Sequence, residues 1–324
     1  MKTKILKILR QADTYISGQE LCSQLGVSRT AVWKVIQQLK DEGYGIEAVS
    51  SKGYTVTSYP DVMTAAEIGS LLPEHALFSN IHYKPVVGST NDEAKLMAEN
   101  GAPEGTLVVT ECQEKGKGRL GRTWVSPSGE NIYMSFVLRP QIEPTNASML
   151  TLIAAMAVLD AIRNQDIDAK IKWPNDIVND GKKLCGILTE MSSQMECINY
   201  IVVGIGINVH QRAFDESIQA TAASLDLAVG KTVKRSQVIA DVLTAFEHYY
   251  QLFLKTEDLS LLKDSYNAQL VNMGKQIRII DRSGERCGIS AGIDDSGCLI
   301  AEIGGKTERI MSGEVSVRGL YGYV

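Results

Sequence analysis

Apolar positions in the first sixty residues recur at helical period. After Ser28, the residues Ala31, Val32, Val35, Ile36 and Leu39 fall at i, i+1, i+4, i+5 and i+8, which is one face of a helix. The other face carries Arg29, Thr30, Trp33, Lys34, Gln37 and Lys40. Upstream, Ser17-Gly-Gln-Glu20 has capping-box spacing. The helix it opens should close near Leu25-Gly26, where glycine takes the left-handed conformation past a helix end. A further helix is expected at about residues 2–11. Tyr44–Val49 and Tyr54–Thr57 flank Ser50-Ser51-Lys52-Gly53, the pattern of a hairpin. Three helices and a hairpin predict a winged helix-turn-helix domain over 1–60. Tyr59-Pro60-Asp61 reads as a linker, and Thr64-Ala-Ala-Glu67 as a cap opening a new helix.

From 65 to about 272 short Ile/Val-rich runs alternate with helical stretches. Leu107–Glu111, Ile132–Leu138, Ile171–Trp173, Leu184–Glu190 and Tyr200–Val209 read as strands. Residues 90–100, 147–164 and 235–254 read as helices, with Thr90-Asn-Asp-Glu93 as another capping box. Residues 274–324 show Gln276–Ile280, Cys298–Ile303 and Val315–Arg318 as short strands between glycine turns. The chain is thus expected to be α+β and multidomain.

A length of 324 residues suits two domains and a small third. Hydrophobic residues at 44% and charged residues at 22% exclude disorder and fibrous repeats. No apolar run approaches the roughly 18 residues of a membrane span, and the N-terminus lacks a signal peptide's apolar stretch. Six cysteines without a CxxC pair argue against structural zinc or a disulfide framework. A cytoplasmic protein with reduced thiols and no membrane is the expectation. The net charge of −5 is uneven: eight Lys/Arg against five Asp/Glu in residues 1–60 make that segment +3 and the remainder −8. A basic head on an acidic body suggests that only the head meets a polyanion. Ser28, Arg29, Thr30, Trp33, Lys34 and Gln37 are the candidate DNA-reading residues, at the start of the second helix of the motif. The alternative is a small helical bundle that docks protein.

Candidate chemistry lies in five places. Gly116-Lys-Gly-Arg-Leu-Gly-Arg122 satisfies G-x-G-x-x-G as text, but it runs into Thr123-Trp-Val-Ser-Pro127 instead of opening a helix, which excludes a dinucleotide fingerprint. Glycines interleaved with cations suit a loop that wraps an anion, although a solvated basic loop has the same composition. Lys172-Trp-Pro-Asn-Asp176, Lys183-Leu-Cys-Gly-Ile-Leu188 and Gly204-Ile-Gly-Ile-Asn208 put cations, one acid and small residues at the ends of three strands. Ser89-Thr90-Asn91 reads as a helix cap with hydroxyls and amides to spare. Together they suit phosphoryl or nucleotidyl chemistry.

Taken in chain order, from Ser89-Thr90-Asn91 to Gly204-Ile-Gly-Ile-Asn208, the five motifs, with Gln113, resemble the biotin–protein ligase family, and the N-terminal winged helix is similar to its bifunctional members that also repress the biotin operon. The resemblance implies a central class II aminoacyl-tRNA synthetase-like catalytic domain at 65–272 and an SH3-like β-barrel at 274–324. It implies that ATP, with Mg2+, and biotin form biotinyl-5′-AMP, which then biotinylates a lysine on the carrier domain of acetyl-CoA carboxylase, pyruvate carboxylase or both. The matched positions imply biotin contacts from Ser89, Thr90, Asn91, Gln113, Lys117, Gly118, Arg119 and Lys183. Adenylate or ATP contacts are implied for Arg119, Arg122, Trp124, Lys172, Asn175, Asn208, Phe214 and Arg318. Lys183, Arg119 and Asp176 are the implied catalytic residues, with Asp176 orienting Mg2+ or the incoming amine. Of the adjacent Lys182 and Lys183 only one can enter the site, because neighbouring strand residues face opposite ways. Two departures stand out. Lys117 replaces the first Arg of the family's G-R-G-R and loses its bidentate geometry, and Leu120 stands where some members carry another Arg. Residues 211–224, the implied adenine-side loop, contain Phe214 but no Trp. A winged helix on a ligase further implies that the adenylate complex homodimerises and reads a palindromic biotin operator. A lipoate–protein ligase, or a ligand-sensing repressor without catalysis, is the competing expectation.

Overall fold

The computed structural model describes residues 1–194, 197–281, 284–313, 315–320 and 322–324. It divides into two compact units, Met1–Glu74 with Lys234–Ala240, and His75–Val233 with Asp241–Val324.

The first unit strings together α1 (Lys2–Gln11), α2 (Gly18–Leu25), α3 (Arg29–Asp41), the antiparallel hairpin β1 (Gly45–Val49) and β2 (Gly53–Ser58), and α4 (Ala65–Leu71). Its caps are those the sequence implies. The Ser17 and Ser28 hydroxyls accept from the Glu20 and Ala31 amides, and Gly26 closes α2 at φ 65°. Ile5, Leu6, Leu9, Leu21, Val32, Val35, Ile36 and Leu39 form the core. This is a winged helix-turn-helix.

Helix α4 packs in this first unit instead of opening the second. The physical reason is Glu67, which is only 2% exposed. Its carboxylate accepts two 2.9 Å hydrogen bonds from Arg10, one of 2.8 Å from the Tyr44 phenol and one of 3.2 Å from Ser236. Burial and the Glu67 charge push the Tyr44 phenol up, so it stays a donor. Removing one partner of a buried ion pair strands the other charge, so Glu67→Ala should destabilise this unit by about 3 kcal/mol. Denaturant unfolding of the two proteins measures it.

The second unit is built on a seven-stranded sheet of order β3-β4-β5-β9-β8-β7-β6. In chain order its elements are β3 (Asn80–Val87), α5 (Thr90–Glu99), β4 (Thr106–Gln113), β5 (Asn131–Leu138), α6 (Met149–Arg163), β6 (Lys170–Lys172), β7 (Asp176–Asn179), β8 (Lys182–Gln194), β9 (Cys197–Asn208), α7 (Leu225–Val229), α8 (Arg235–Thr256, of which the residues up to Ala240 belong to the first unit) and α9 (Lys263–Gln269). Only β3 and β4 pair in parallel; the other neighbours are antiparallel. Strands β3 and β7 are additions to the sequence reading. Both carry charged or polar residues among the apolar ones, which hides the pattern. In α6 every residue except Thr151, Asp160 and Arg163 is buried. Contrary to the sequence expectation, Pro144–Arg163 is long and apolar enough to cross a membrane by composition, with mean hydropathy 1.6. Here that composition serves a core helix.

The chain ends in a five-stranded antiparallel sheet of order β13-β12-β11-β10-β14. Its strands are β10 (Gln276–Asp281), β11 (Gly284–Ile293), β12 (Leu299–Ile303), β13 (Lys306–Ile310) and β14 (Ser316–Gly319). Ile277, Ile279, Leu299, Ala301 and Val317 are its buried apolar residues, together with Ile293 and Ile310. The Trp173 indole of the second unit's main sheet donates to the Gly297 carbonyl at 3.1 Å, tying this β domain to the end of β6.

Candidate active site and nucleic-acid interface

Strands β8 and β9 pair with Gly186 opposite Gly206 and Leu188 opposite Gly204. These glycines leave room that no other residue would. A Cβ on Gly186 or Gly206 would stand 2.9 or 2.7 Å from the Trp124 indole, and one on Gly204 would stand 1.9 Å from Asn91 Oδ1. Trp124 therefore lies flat on the sheet and Asn91 drops into it. The start of α5 supplies the rest of the wall. Ser89 is the residue that precedes the helix, so Thr90 is not the cap that the capping-box reading expected. The Thr90 amide and hydroxyl instead donate to Gln113 Oε1 at 2.9 and 3.1 Å. Gln113 Nε2 donates to Ser126 at 3.0 Å. The Ser135 hydroxyl donates to Asn91 Oδ1 at 2.6 Å and lies 2.7 Å from the Thr90 hydroxyl. Asn91 Nδ2 reaches Glu190 at 2.7 Å and the Leu188 carbonyl at 3.3 Å. Asn91, Thr90 and Gln113 are thus engaged with one another and with the sheet. The Ser89 hydroxyl is 3% exposed as a residue and makes no hydrogen bond to the described residues.

This small polar pocket adjoins a cleft of about 760 Å3, and Gly118, Arg119, Trp124, Asn175 and Lys183 line both. Strands β6 and β7 place Lys172 and Asp176 opposite each other across the Trp173-Pro174-Asn175 turn. Asp176 Oδ1 lies 2.6 Å from Lys183 Nζ, and Oδ2 accepts from the Tyr323 phenol and lies 4.0 Å from Lys172 Nζ. Burial opposes the Asp176 charge, but Lys183 and Lys172 outweigh it and hold the carboxyl below its usual range. Burial pulls the Lys172 ammonium down to about 8; Asp176 resists and Lys183, Arg318 and Arg119 add to the fall. The Lys183 amide and carbonyl pair with Thr221 and Ala223, which fixes the side chain toward the cleft while Lys182 faces solvent.

Arg122, Asn208, Phe214 and Arg318 also line the cleft, as the sequence reading expected, and Arg278 joins them unannounced. Asn208 donates to the Ala223 carbonyl at 3.1 Å, so it braces the wall. Arg119 leaves its glycine-rich loop to donate to Asn175 Oδ1 at 2.8 Å and to the Ser312 and Gly313 carbonyls at 2.6 and 2.9 Å. Lys117 turns the other way and pairs with Asp92 at 2.7 Å, both about half exposed. Asp176 faces Lys183 through Oδ1 and Tyr323 through Oδ2, and among the described residues no three His, Cys, Asp or Glu side chains gather, so any Mg2+ held at Asp176 would have to be completed by the nucleotide phosphates.

Sequence reasoning missed Ser126, Ser135, Glu190, Arg278 and Tyr323. Only Glu190 carried a signal, as an acid ending an apolar strand.

In the first unit, Arg29, Thr30, Trp33 and Lys34 are exposed on one side of α3, with Trp33 at 54% and Gln37 half-buried beside them. Ser28 caps the helix, and Arg29 donates to the Gln19 side chain at 2.8 Å.

Residues 83–208 match the Biotin/lipoate A/B protein ligase family, residues 2–55 an HTH domain and residues 273–318 the Biotin protein ligase C terminal domain. The Bifunctional ligase/repressor BirA of Bacillus subtilis (strain 168) is 37% identical over 98% of both chains. That of Escherichia coli (strain K12) is 30% identical over 97% of this chain and 96% of its own. Among solved structures, the biotin protein ligase from Aquifex aeolicus in complex with biotin and ATP superposes with a TM-score of 0.67 at 30% identity. It covers 75% of this chain and all of that one.

Proposed function

The chain belongs to the biotin–protein ligase family in its bifunctional ligase/repressor form, and on that premise we propose how its residues divide the work. It is an ATP-dependent biotin–protein ligase that forms biotinyl-5′-AMP, and with that adenylate it represses the biotin operon. One observation carries the assignment of the site: a polar pocket and a cationic cleft share Lys183 and Arg119 at their junction. A carboxylate entering from the pocket meets an α-phosphate entering from the cleft at that point.

Biotin's ureido ring lies by Ser89, whose hydroxyl is unspent, within the wall built by Thr90, Asn91 and Gln113. Its thiophane ring packs on Trp124, and its carboxylate reaches Lys183. A carboxylate oxygen attacks the α-phosphorus and pyrophosphate leaves. Lys183, Lys172 and Arg119 offset the charges brought together. The carrier lysine's amine then attacks the acyl carbon, AMP leaves with the bridging oxygen, and the nitrogen loses its proton. The nucleotide occupies the side of Arg122, Asn175, Asn208, Phe214 and Arg318. Gly118 lets the loop backbone approach the adenylate; Lys117 holds the loop to α5 instead of touching biotin. Lipoate, lacking a ureido ring, has no partner for Ser89. Conversion of a purified carrier domain by biotin and MgATP, read by mass spectrometry, tests the reading. A mass shift with lipoate but not biotin would replace it, and none with either would leave a sensor without catalysis.

The acceptors are carrier domains of acetyl-CoA carboxylase, pyruvate carboxylase or both, and the six free cysteines suit a cytoplasmic protein. The DNA-reading side chains are Arg29, Thr30, Trp33, Lys34 and Gln37, with Ser28 capping their helix. Ordering of the glycine-rich loop around the adenylate completes a homodimer whose two winged helices read a palindrome. Arg29→Ala should lower operator affinity by about 10–100-fold, the worth of one bidentate base contact, and leave ligation unchanged. Sedimentation and operator binding with and without biotin plus ATP check both; equal self-association in the two states would refute the switch.

A further inference from the structure

The C-terminal tail returns to the catalytic cleft. Beyond β14 it folds back so closely that a Cβ on Gly319 would stand 2.1 Å from the Val324 carbonyl oxygen. This seats Tyr323 between two residues of the β6–β7 turn. Its hydroxyl donates to Asp176 Oδ2, and its ring centroid lies 4.2 Å from Lys172 Nζ. Lys172 is only 5% exposed, yet its ammonium makes no hydrogen bond to the described residues and stops 4.0 Å short of Asp176.

A buried ammonium beside a buried carboxylate ordinarily closes to a hydrogen-bonded pair, because each desolvated charge needs a partner. Here something else satisfies both groups. Lys183 faces Asp176 Oδ1 at 2.6 Å, the phenol stands against Oδ2 on the side from which Lys172 would close, and the ring's electron-rich face holds the ammonium by a cation–π contact. Burial raises the phenol above its ordinary value, so it remains protonated and can only donate to Asp176.

We propose that Tyr323 is a positioning residue of the adenylation site: by standing against Asp176 Oδ2 and cradling Lys172 it keeps the Lys172–Asp176 ion pair long, at 4.0 Å, and the ammonium free of a hydrogen bond and available to a nucleotide phosphate. The inference rests on the ligase reading for the reaction it serves, but only on phosphate binding for its test. The phenol and the carboxylate it occupies sit 147 residues apart in sequence, on the tail and on the central sheet.

Tyr323→Phe keeps the ring and deletes the hydroxyl, so Lys172 can swing onto Asp176. ATP affinity, read by calorimetry on the full chain, should fall about tenfold, the worth of a hydrogen bond to a charged group. Biotin-dependent pyrophosphate exchange should lose kcat by a similar factor while KM for biotin moves less than twofold. In an Asp176→Asn background, and separately in a Lys172→Met background, Y323F should change ATP affinity less than twofold, since the pair it prevents can no longer form. A tenfold loss that persists in both backgrounds would overturn the proposal, as would unchanged ATP affinity in the single variant. Wild-type protein that binds ATP but activates no biotin would instead overturn the ligase reading, while the ATP cycle still decides the role of Tyr323.

Discussion

Lys183→Ala is expected to lower biotin-dependent ATP–pyrophosphate exchange by on the order of 10²–10³-fold, the usual loss when one preorganised charge stabiliser is removed. The side chain stands at the junction of pocket and cleft, and its backbone is paired on both sides to Thr221 and Ala223. No neighbour can slide into its place. Lys182 faces solvent, and Lys172 is held on the far side of Asp176. Removal also strips Asp176 of its 2.6 Å ion pair. The carboxylate then adds negative charge where the phosphate must approach, so the loss should lie in kcat more than in biotin affinity. Exchange kinetics over a range of biotin concentrations separate the two. Near-normal kcat with a raised KM would assign Lys183 to ground-state binding alone.

Gly204→Ala should weaken biotin binding on the order of 10²-fold. The added Cβ would stand 1.9 Å from Asn91 Oδ1, and neither side can yield easily. Gly204 sits mid-strand, paired to Ser135 of β5 and Leu188 of β8. Asn91 is held by Ser135, Glu190 and the Leu188 carbonyl. Expelling Asn91 would leave several buried polar groups without partners at about 1–3 kcal/mol each, and tenfold in affinity corresponds to about 1.4 kcal/mol. Calorimetry with biotin measures the loss. Because overpacking also costs about 1–3 kcal/mol, the melting temperature should fall with it. Full biotin affinity in this variant would show that the Asn91 wall does not form the pocket.

How readily each part could be read from sequence follows the distance between the residues that make it. The apolar face of α3, the Ser17 and Ser28 caps and the Gly26 stop involve residues within a turn or two, and all appear as read. Thr90 shows where that local logic fails. Thr90-Asn-Asp-Glu93 satisfies the capping-box spacing, yet Gln113, 23 residues away, takes the Thr90 hydroxyl and amide; the helix starts at Thr90 as expected, but the residue in the cap position is Ser89. Helix α4 was correctly legible as a capped helix, but its place in the first unit depended on Arg10 and Tyr44 finding Glu67.

By itself the sequence determined which groups carry charge and where: the cations of Gly116–Arg122, Lys172, Lys183, and the acid at 176. It also determined the helices and strands that local spacing specifies, because hydrophobic periodicity and capping act between residues a few positions apart. Only the tertiary structure decided which of those groups are spent on each other. Arg119 binds carbonyls nearly two hundred residues onward, Lys117 pairs with Asp92, and Asp176 faces Lys183 and Tyr323. A buried charge must find its partner in space, and sequence separation places no limit on which residue that is; desolvation makes the choice, and desolvation exists only once the chain has folded.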